Sequence, residues 1–346
     1  MSRDKLIILG VVVLALLGVG VYKVNQADDA KGRPVVEAKD FPSVSAPDDV
    51  DKISITNGDK GEVVLEKVAD ANAAAADGGA GGTWRIAKPV QASANQQTAK
   101  DIVANLAKLK VDEAVNLKLD DTVRKDKQLD ASKGVHIVAW KGPDKKLDET
   151  FGKAGASQTQ LCIVTSQPDK VWAVKDYSSY LYTKDAKDYR DKEIFKFDDA
   201  NVAQMTITNS HGTLSFTKGD KWVGTIDKKP IENFSEDKLK DMLRTYKALS
   251  ADDFGDGKSL ADTGLDKPEA TLDITLKDGA GKYDLLVGKT ATGANRWAKK
   301  PDSDAIYQLT NFTAEWLTSD ASKYAASPDA GGSADGGTKL SMKPKK

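Results

Sequence analysis

The stretch Ile53-Ser54-Ile55-Thr56-Asn57 returns later in the chain as Met205-Thr206-Ile207-Thr208-Asn209, and the segments after each copy match as well. Trp84 is matched by Trp222, and Lys88-Pro89-Val90 by Lys229-Pro230-Ile231. Lys100-Asp101-Ile102-Val103 is matched by Lys240-Asp241-Met242-Leu243, and Leu129-Asp130 by Leu265-Asp266. Phe151-Gly152-Lys153 corresponds to Val287-Gly288-Lys289, and Asp169-Lys170-Val171-Trp172 to Asp304-Ala305-Ile306-Tyr307. The order never changes. A long unit repeated once is a duplicated domain and not a short-period solenoid. The chain is therefore obliged to fold the same way twice, and the duplication by itself implies no chemistry.

Each copy opens with period-two alternation, the signature of a half-buried strand. In the second copy Ala203, Met205 and Ile207 alternate with polar residues, Asn209-Ser210-His211-Gly212 turns the chain, and Leu214 and Phe216 return. Trp222-Val223-Gly224 begins a third strand. The first copy repeats this with Ile53 and Ile55, Val63 to Leu65, and Trp84 to Ile86, and adds the low-complexity insertion Ala69 to Gly82. Loop-closure entropy grows slowly with length, so a hairpin tip tolerates such an insertion.

A helix comes next. Leu239, Met242, Leu243 and Tyr246 form one apolar stripe, with Ser235 as N-cap and Glu236 and Asp237 in the first turn. Ala99, Ile102, Val103 and Leu106 give the same spacing in the first copy. Further strands are expected at Val135–Trp140, Leu147–Phe151, Leu161–Val164 and Val171–Val174. Their counterparts are Ala270–Leu276, Tyr283–Val287, Arg296–Ala298 and Ile306–Leu309. A short aromatic helix closes each copy, around Tyr177–Tyr182 and Phe312–Leu317. Strands, helix, strands, helix without regular alternation is an α+β meander. The expected fold is two tandem duplicated α+β domains of antiparallel meander strands with one main helix each.

Leu6 to Tyr22 is an unbroken run of apolar residues and glycine bounded by Lys5 and Lys23. At 1.5 Å per residue it makes roughly 25 Å of helix, the short end of a bilayer span. No small-x-small cleavage site follows closely and no cysteine follows for a lipid anchor, so an uncleaved transmembrane helix is the expectation and a cleaved signal peptide the alternative. Arg3 and Lys5 precede the run, whereas Lys23, Lys31, Arg33 and Lys39 come after it. A naive positive-inside count thus opposes export, but short N-terminal tails ahead of a first span usually stay inside and large domains translocate regardless of charge. The organisation expected is an anchor over 1–23, a flexible linker over 24–49, repeat domains over 50–197 and 198–326, and a polar tail over 327–346. The expected orientation has the N-terminus in the cytoplasm and the repeats on the far side of the membrane.

Charge excludes little but decides one class. Lys and Arg number 51 against 52 Asp and Glu, a net charge of −1, so no overall field draws in nucleic acid. Cys162 is the only cysteine, which rules out an intramolecular disulfide. His136 and His211 stand in no metal-ligand spacing. A Cys162–His136 nucleophile pair is conceivable, but Leu161-Cys162-Ile163-Val164 reads as a buried strand with an inert thiol. Gly288-Lys289-Thr290 imitates the end of a phosphate loop, yet Tyr283 stands where the first glycine belongs, and a repeated hairpin turn accounts for it. No carboxylate pair has the apolar flanks that raise a pKa for acid–base work. The tryptophans, Trp84, Trp140, Trp172, Trp222, Trp297 and Trp316, fit a core better than an aromatic ligand platform. No catalytic, cofactor-binding or metal-binding residue is assigned, and no cofactor is expected.

The second copy carries Ile207-Thr208-Asn209, Trp222, Lys229-Pro230, Gly264-Leu265-Asp266-Lys267-Pro268 and Val287-Gly288-Lys289-Thr290. In these motifs the chain resembles the bacterial domain of unknown function 4340 family, in two tandem copies over about residues 50 to 325. The first copy departs at Gln128-Leu129-Asp130-Ala131-Ser132, which lacks the Gly and Pro and unsettles its loop geometry. The resemblance implies one N-terminal span, here in a bacterial inner membrane with the repeats in the periplasm, and association with ABC-transporter components of the gliding-motility auxiliary kind. The expected function is a non-catalytic, membrane-anchored envelope protein, an accessory or scaffold of such a membrane complex. Its expected partners are membrane proteins and, through the helix, the lipid bilayer. The alternative is an envelope ligand-binding module for a glycan, peptide or cell-wall component, using aromatic surfaces between the repeats.

Overall fold

The computed structural model describes residues 41–69 and 82–326. The anchor and first part of the linker, most of the insertion, and the tail lie outside the described residues. Within them the chain divides into two units after Asp191.

The first unit begins with strands β1 (Lys52–Asn57), β2 (Gly61–Ala69), β3 (Gly82–Lys88) and β4 (Ala92–Ser93). Helix α1 (Gln96–Leu106) then carries the chain to β5 (Lys110–Val115), and α2 (Asp121–Asp126) comes after it. Strands β6 (Val135–Lys141), β7 (Asp144–Ala154), β8 (Gln160–Val164) and β9 (Val171–Lys175) complete the sheet. The strand order is β4-β3-β2-β1-β6-β7-β8-β9-β5, and every pairing is antiparallel. The chain thus meanders from the centre to one edge, crosses on α1 to the far edge, and returns to the centre to meander outward again.

The second unit repeats this path. Its strands are β10 (Val202–Asn209), β11 (Gly212–Lys218), β12 (Trp222–Ile226) and β13 (Lys229–Pro230), with helix α3 (Glu236–Tyr246), β14 (Asp253–Phe254) and α4 (Leu260–Thr263) after them. Then come β15 (Ala270–Leu276), β16 (Lys282–Thr290), β17 (Arg296–Lys299), β18 (Tyr307–Leu309) and helix α5 (Asn311–Thr318). The order is β13-β12-β11-β10-β15-β16-β17-β18-β14, the first sheet with nine added to each number. Two similar α+β halves, each built on a nine-stranded antiparallel sheet, are the observed architecture.

The helices form where the stripes predict. Asn95 caps α1 by accepting from the Thr98 amide at 2.9 Å, and Ser235 caps α3 by accepting from Lys238. Ala99, Ile102, Val103 and Leu106 are buried on α1, and Leu239, Met242, Leu243 and Tyr246 on α3. Each stripe lies in the core of its own unit, with Ile53, Ile55 and Trp84 in the first and Met205, Ile207 and Trp222 in the second.

Four features depart from the sequence reading. Phe41 and Val44, inside the expected linker, are buried in the first core, and the Phe41 ring meets Trp172 edge-on at 5.6 Å. The second unit starts at Lys192 and not at 198, because Ile194 and Phe195 are buried in its core. Edge strands β5 and β14 stand outside the expected elements. Near Tyr177 the closing helix of the first unit is only a 3₁₀ turn, Ser179–Leu181, whereas α5 is a full helix.

Candidate functional site

The residues that invite a catalytic reading are kept apart. The strand register puts His136 and Cys162 on opposite faces of the sheet. His136 Nε2 lies 2.8 Å from Asp148 Oδ1, while the Cys162 thiol meets Glu149 Oε2 at 3.7 Å. His211 sits at the β10–β11 tip of the second unit. Among the described residues no group of three or more His, Cys, Asp or Glu is placed to hold a metal ion. Five of the six tryptophans are buried; Trp140 is half-buried.

Gly288-Lys289-Thr290 is not a hairpin turn. It lies inside β16, at a register shift between Val287 and Thr290, and Gly152 lies at the matching shift in β7. The glycines answer a close approach: a Cβ on Gly152 would stand 2.3 Å from the Lys127 carbonyl oxygen, and one on Gly288 2.2 Å from that of Thr263. The residue beside each approach is left-handed, with φ of 70° at Gly264 and 56° at Gln128. The first copy therefore keeps the loop geometry although it lacks the glycine, and the non-glycine backbone there is strained.

The sequence reading looked for a carboxylate pair with apolar flanks and did not single out Glu149, a lone carboxylate that the fold buries. Glu149 is 0% exposed, on the same strand face as Leu147 and Phe151. Burial drives its pKa well above the ordinary glutamate value, and neighbouring Asp148 adds to the rise. Its Oε1 has no hydrogen-bond partner among the described residues. Burial also pushes up the thiol of Cys162, with Glu149 adding to the shift. In the second unit the exposed Asp273 is raised by partial desolvation and by Asp284 directly opposite it on the neighbouring strand. The signal for Glu149 was present in Leu147-Asp148-Glu149-Thr150-Phe151, where alternation puts it on the apolar face.

The two units differ at this place. Cys162 pairs with Phe151 and Trp172, as Ala298 pairs with Val287 and Tyr307. Glu149 and Cys162 thus occupy the positions of Leu285 and Ala298, both fully buried. Next to them Tyr177 stacks on Phe151 with centroids 4.2 Å apart and on Tyr182 at 5.1 Å. Its buried hydroxyl finds no hydrogen-bond partner among the described residues. Tyr182, by contrast, donates to Asn105 Oδ1 at 2.9 Å.

Beside the Phe151–Tyr177 pair opens a cleft of about 710 Å³. Asn57, Asp59 and Lys60 come from the β1–β2 turn, Gln128 and Lys133 from the segment after α2, Lys153 and Gln160 from β7 and β8, and Ser179 and Thr183 from the 3₁₀ region. In the second unit Asn209, the counterpart of Asn57, donates through Nδ2 to the carbonyls of Leu317 and Ser319 at 2.8 and 2.9 Å. That tie fastens the end of α5 to β10. The first unit has no full helix here, and Lys60 reaches the Thr183 carbonyl at 2.7 Å instead.

The chain matches the family described as Domain of unknown function (DUF4340) over residues 84–268 and 256–326. It belongs to that family. The first matched segment starts in β3 and runs across the boundary at Asp191 into the second unit, and the second segment covers the rest of the second unit to its last described residue. No curated protein and no solved structure matches it.

Proposed function

We propose that this DUF4340 protein is a membrane-tethered, non-catalytic cell-envelope module serving as an accessory or scaffold of a membrane complex of the ABC-transporter kind. The tether in this reading is Leu6 to Tyr22, which lies outside the described residues. Among the described residues no helix is long and apolar enough to cross a membrane. The body sits in the periplasm and the N-terminus in the cytoplasm. One observation carries the reading: the residues that the two copies share, such as Trp84 and Trp222 or the α1 and α3 stripes, are buried in packing. What the repeats have in common builds a platform, and a tethered platform gains effective concentration towards neighbours in the same bilayer.

The test is an affinity pull-down from detergent-solubilised membranes, repeated after Leu6 to Tyr22 is replaced by an unrelated span of the same orientation. Partners that are membrane proteins and survive the swap are the expected result. Loss of every partner after the swap would move the contact to the helix, and no membrane partner in either arm would remove the scaffold reading. The ligand-module alternative is favoured by one observation, the cleft of the first unit, and not by its tryptophans.

A further inference from the structure

We propose that the cleft of the first unit binds a small acidic ligand, one that presents carboxylate or phosphate oxygens. The inference goes beyond the scaffold reading and needs neither the tether nor a protein partner. Its starting point is that the molecule contains its own comparison. Both units reach the same fold, so what one has and the other lacks at matching positions is not dictated by the shared topology.

The differences converge on one place. Gln128 stands where the second unit has Gly264, and Lys133 lies in a segment one residue longer than the one from Gly264 to Ala270. Gln160 stands where it has Arg296, which is engaged with Glu269. Lys60 belongs to a turn one residue longer than the one joining β10 to β11. The tie from Asn209 that fastens the second unit at this place has no counterpart from Asn57, whose Nδ2 makes no hydrogen bond among the described residues. The side-chain amide of Gln128 is likewise unpaired there, on a backbone held in the left-handed region.

The chemistry of the lining selects the ligand. Three lysines, Lys60, Lys133 and Lys153, face one aspartate, Asp59, within the lining. Each ammonium carries three donors and no acceptor. Lys133 spends its reach on Asp59 at 2.9 Å, Lys153 holds Asp126 at 3.4 Å, and Lys60 holds Asp185 at 2.8 Å. Those pairs orient the ammonium groups and leave further N–H donors, joined by Asn57 Nδ2, the Gln128 amide and the Ser179 hydroxyl. Each lysine charge is balanced by its aspartate, so what distinguishes the cleft is its surplus of N–H and O–H donors over acceptors and not a net positive charge. An acceptor-rich anion is what satisfies it. Aromatic stacking is not available, because both faces of the Tyr177 ring are occupied by Phe151 and Tyr182. A cation or a flat apolar ligand would meet the wrong groups.

The test uses the full-length protein in detergent and three probes on one scaffold: glucuronate, glucose 6-phosphate and glucose. Titration calorimetry at low and high salt is expected to show at least one of the acids binding ten-fold or more tighter than glucose, with affinity falling as salt rises. Binding of glucuronate alone points to carboxylates, and of glucose 6-phosphate alone to phosphates; either supports the proposal. The double variant Lys133→Met, Lys153→Met should lose at least ten-fold, and Lys133→Arg, Lys153→Arg should restore most of it. Lys289→Met, the match of Lys153 in the second unit, should change nothing. Equal binding of all three probes, no binding of either acid, or the same loss from Lys289→Met would overturn the assignment.

Discussion

Replacing Glu149 with leucine, the residue that the second unit has at the matching position, should make the first unit more stable. Glu149 is fully buried, its Oε1 is unpartnered, and its remaining neighbour is a thiol at 3.7 Å. An unsatisfied buried polar group costs about 1–3 kcal/mol, which leucine removes. A second contribution depends on pH. The folded pKa is raised well above 4.5, so the folded state holds the proton more tightly than the unfolded chain does. Stability from this group is complete below pH 4.5 and is lost as pH rises towards the folded value, at about 1.4 kcal/mol per pH unit. Together these predict that Glu149→Leu gains about 1–3 kcal/mol from the removed polar group alone, a rise of several degrees in Tm, and gains more as pH rises above 4.5. Calorimetric melts of the full chain at pH 5, 6, 7 and 8 measure it. The variant's gain should grow with pH, and Leu285→Glu should impose the mirror-image loss on the second unit. A variant less stable than wild type at every pH, or a gain independent of pH, would refute the reasoning by showing Glu149 charged and compensated.

Three further outcomes rest on packing and placement. Gly152→Ala and Gly288→Ala each drive a methyl into a backbone carbonyl, so each should cost its unit about 1–3 kcal/mol in denaturant titration; unchanged midpoints would mean the strands do not approach α2 and α4 as described. Trp222→Ala should cost about 3–5 kcal/mol, as expected for deleting a buried large aromatic, and a thermal melt equal to wild type would count against its burial. Protease added to cells with a permeabilised outer membrane and intact inner membrane should digest residues 50–346. Protection of that region beside a digested periplasmic control would place the body in the cytoplasm.

What could be read from the sequence was what periodicity controls. The α3 stripe and its serine cap, and strand β15 from Ala270 to Leu276, lie where the pattern put them. Elements held by long-range pairing were not legible. Strand β5 mixes Lys110, Asp112 and Glu113 with its apolar residues and carries a bulge, and β14 is two residues long, so neither shows alternation. Gly288 read as a turn because a glycine needed for a close approach looks, in sequence, like one needed for a bend. Phe41 was hidden by its polar, proline-containing surroundings. The cleft was least legible. It is made of ordinary Lys, Gln and Asn residues from five separate segments, and what marks it is a difference between the two copies that only a residue-by-residue register exposes.

Amide hydrogen exchange on the full chain tests the duplication most directly, because it reads local stability element by element. Strands β1 and β10 are bonded on both sides, by β2 and β6 and by β11 and β15, so Ile53–Ile55 and Met205–Ile207 should exchange slowest in their units. The edge strands β4 and β5 should exchange fastest, as should β13 and β14. The account predicts the same ranking of protection along both halves. A second half in which β10 exchanges like an edge while β13 or β14 is protected would contradict it.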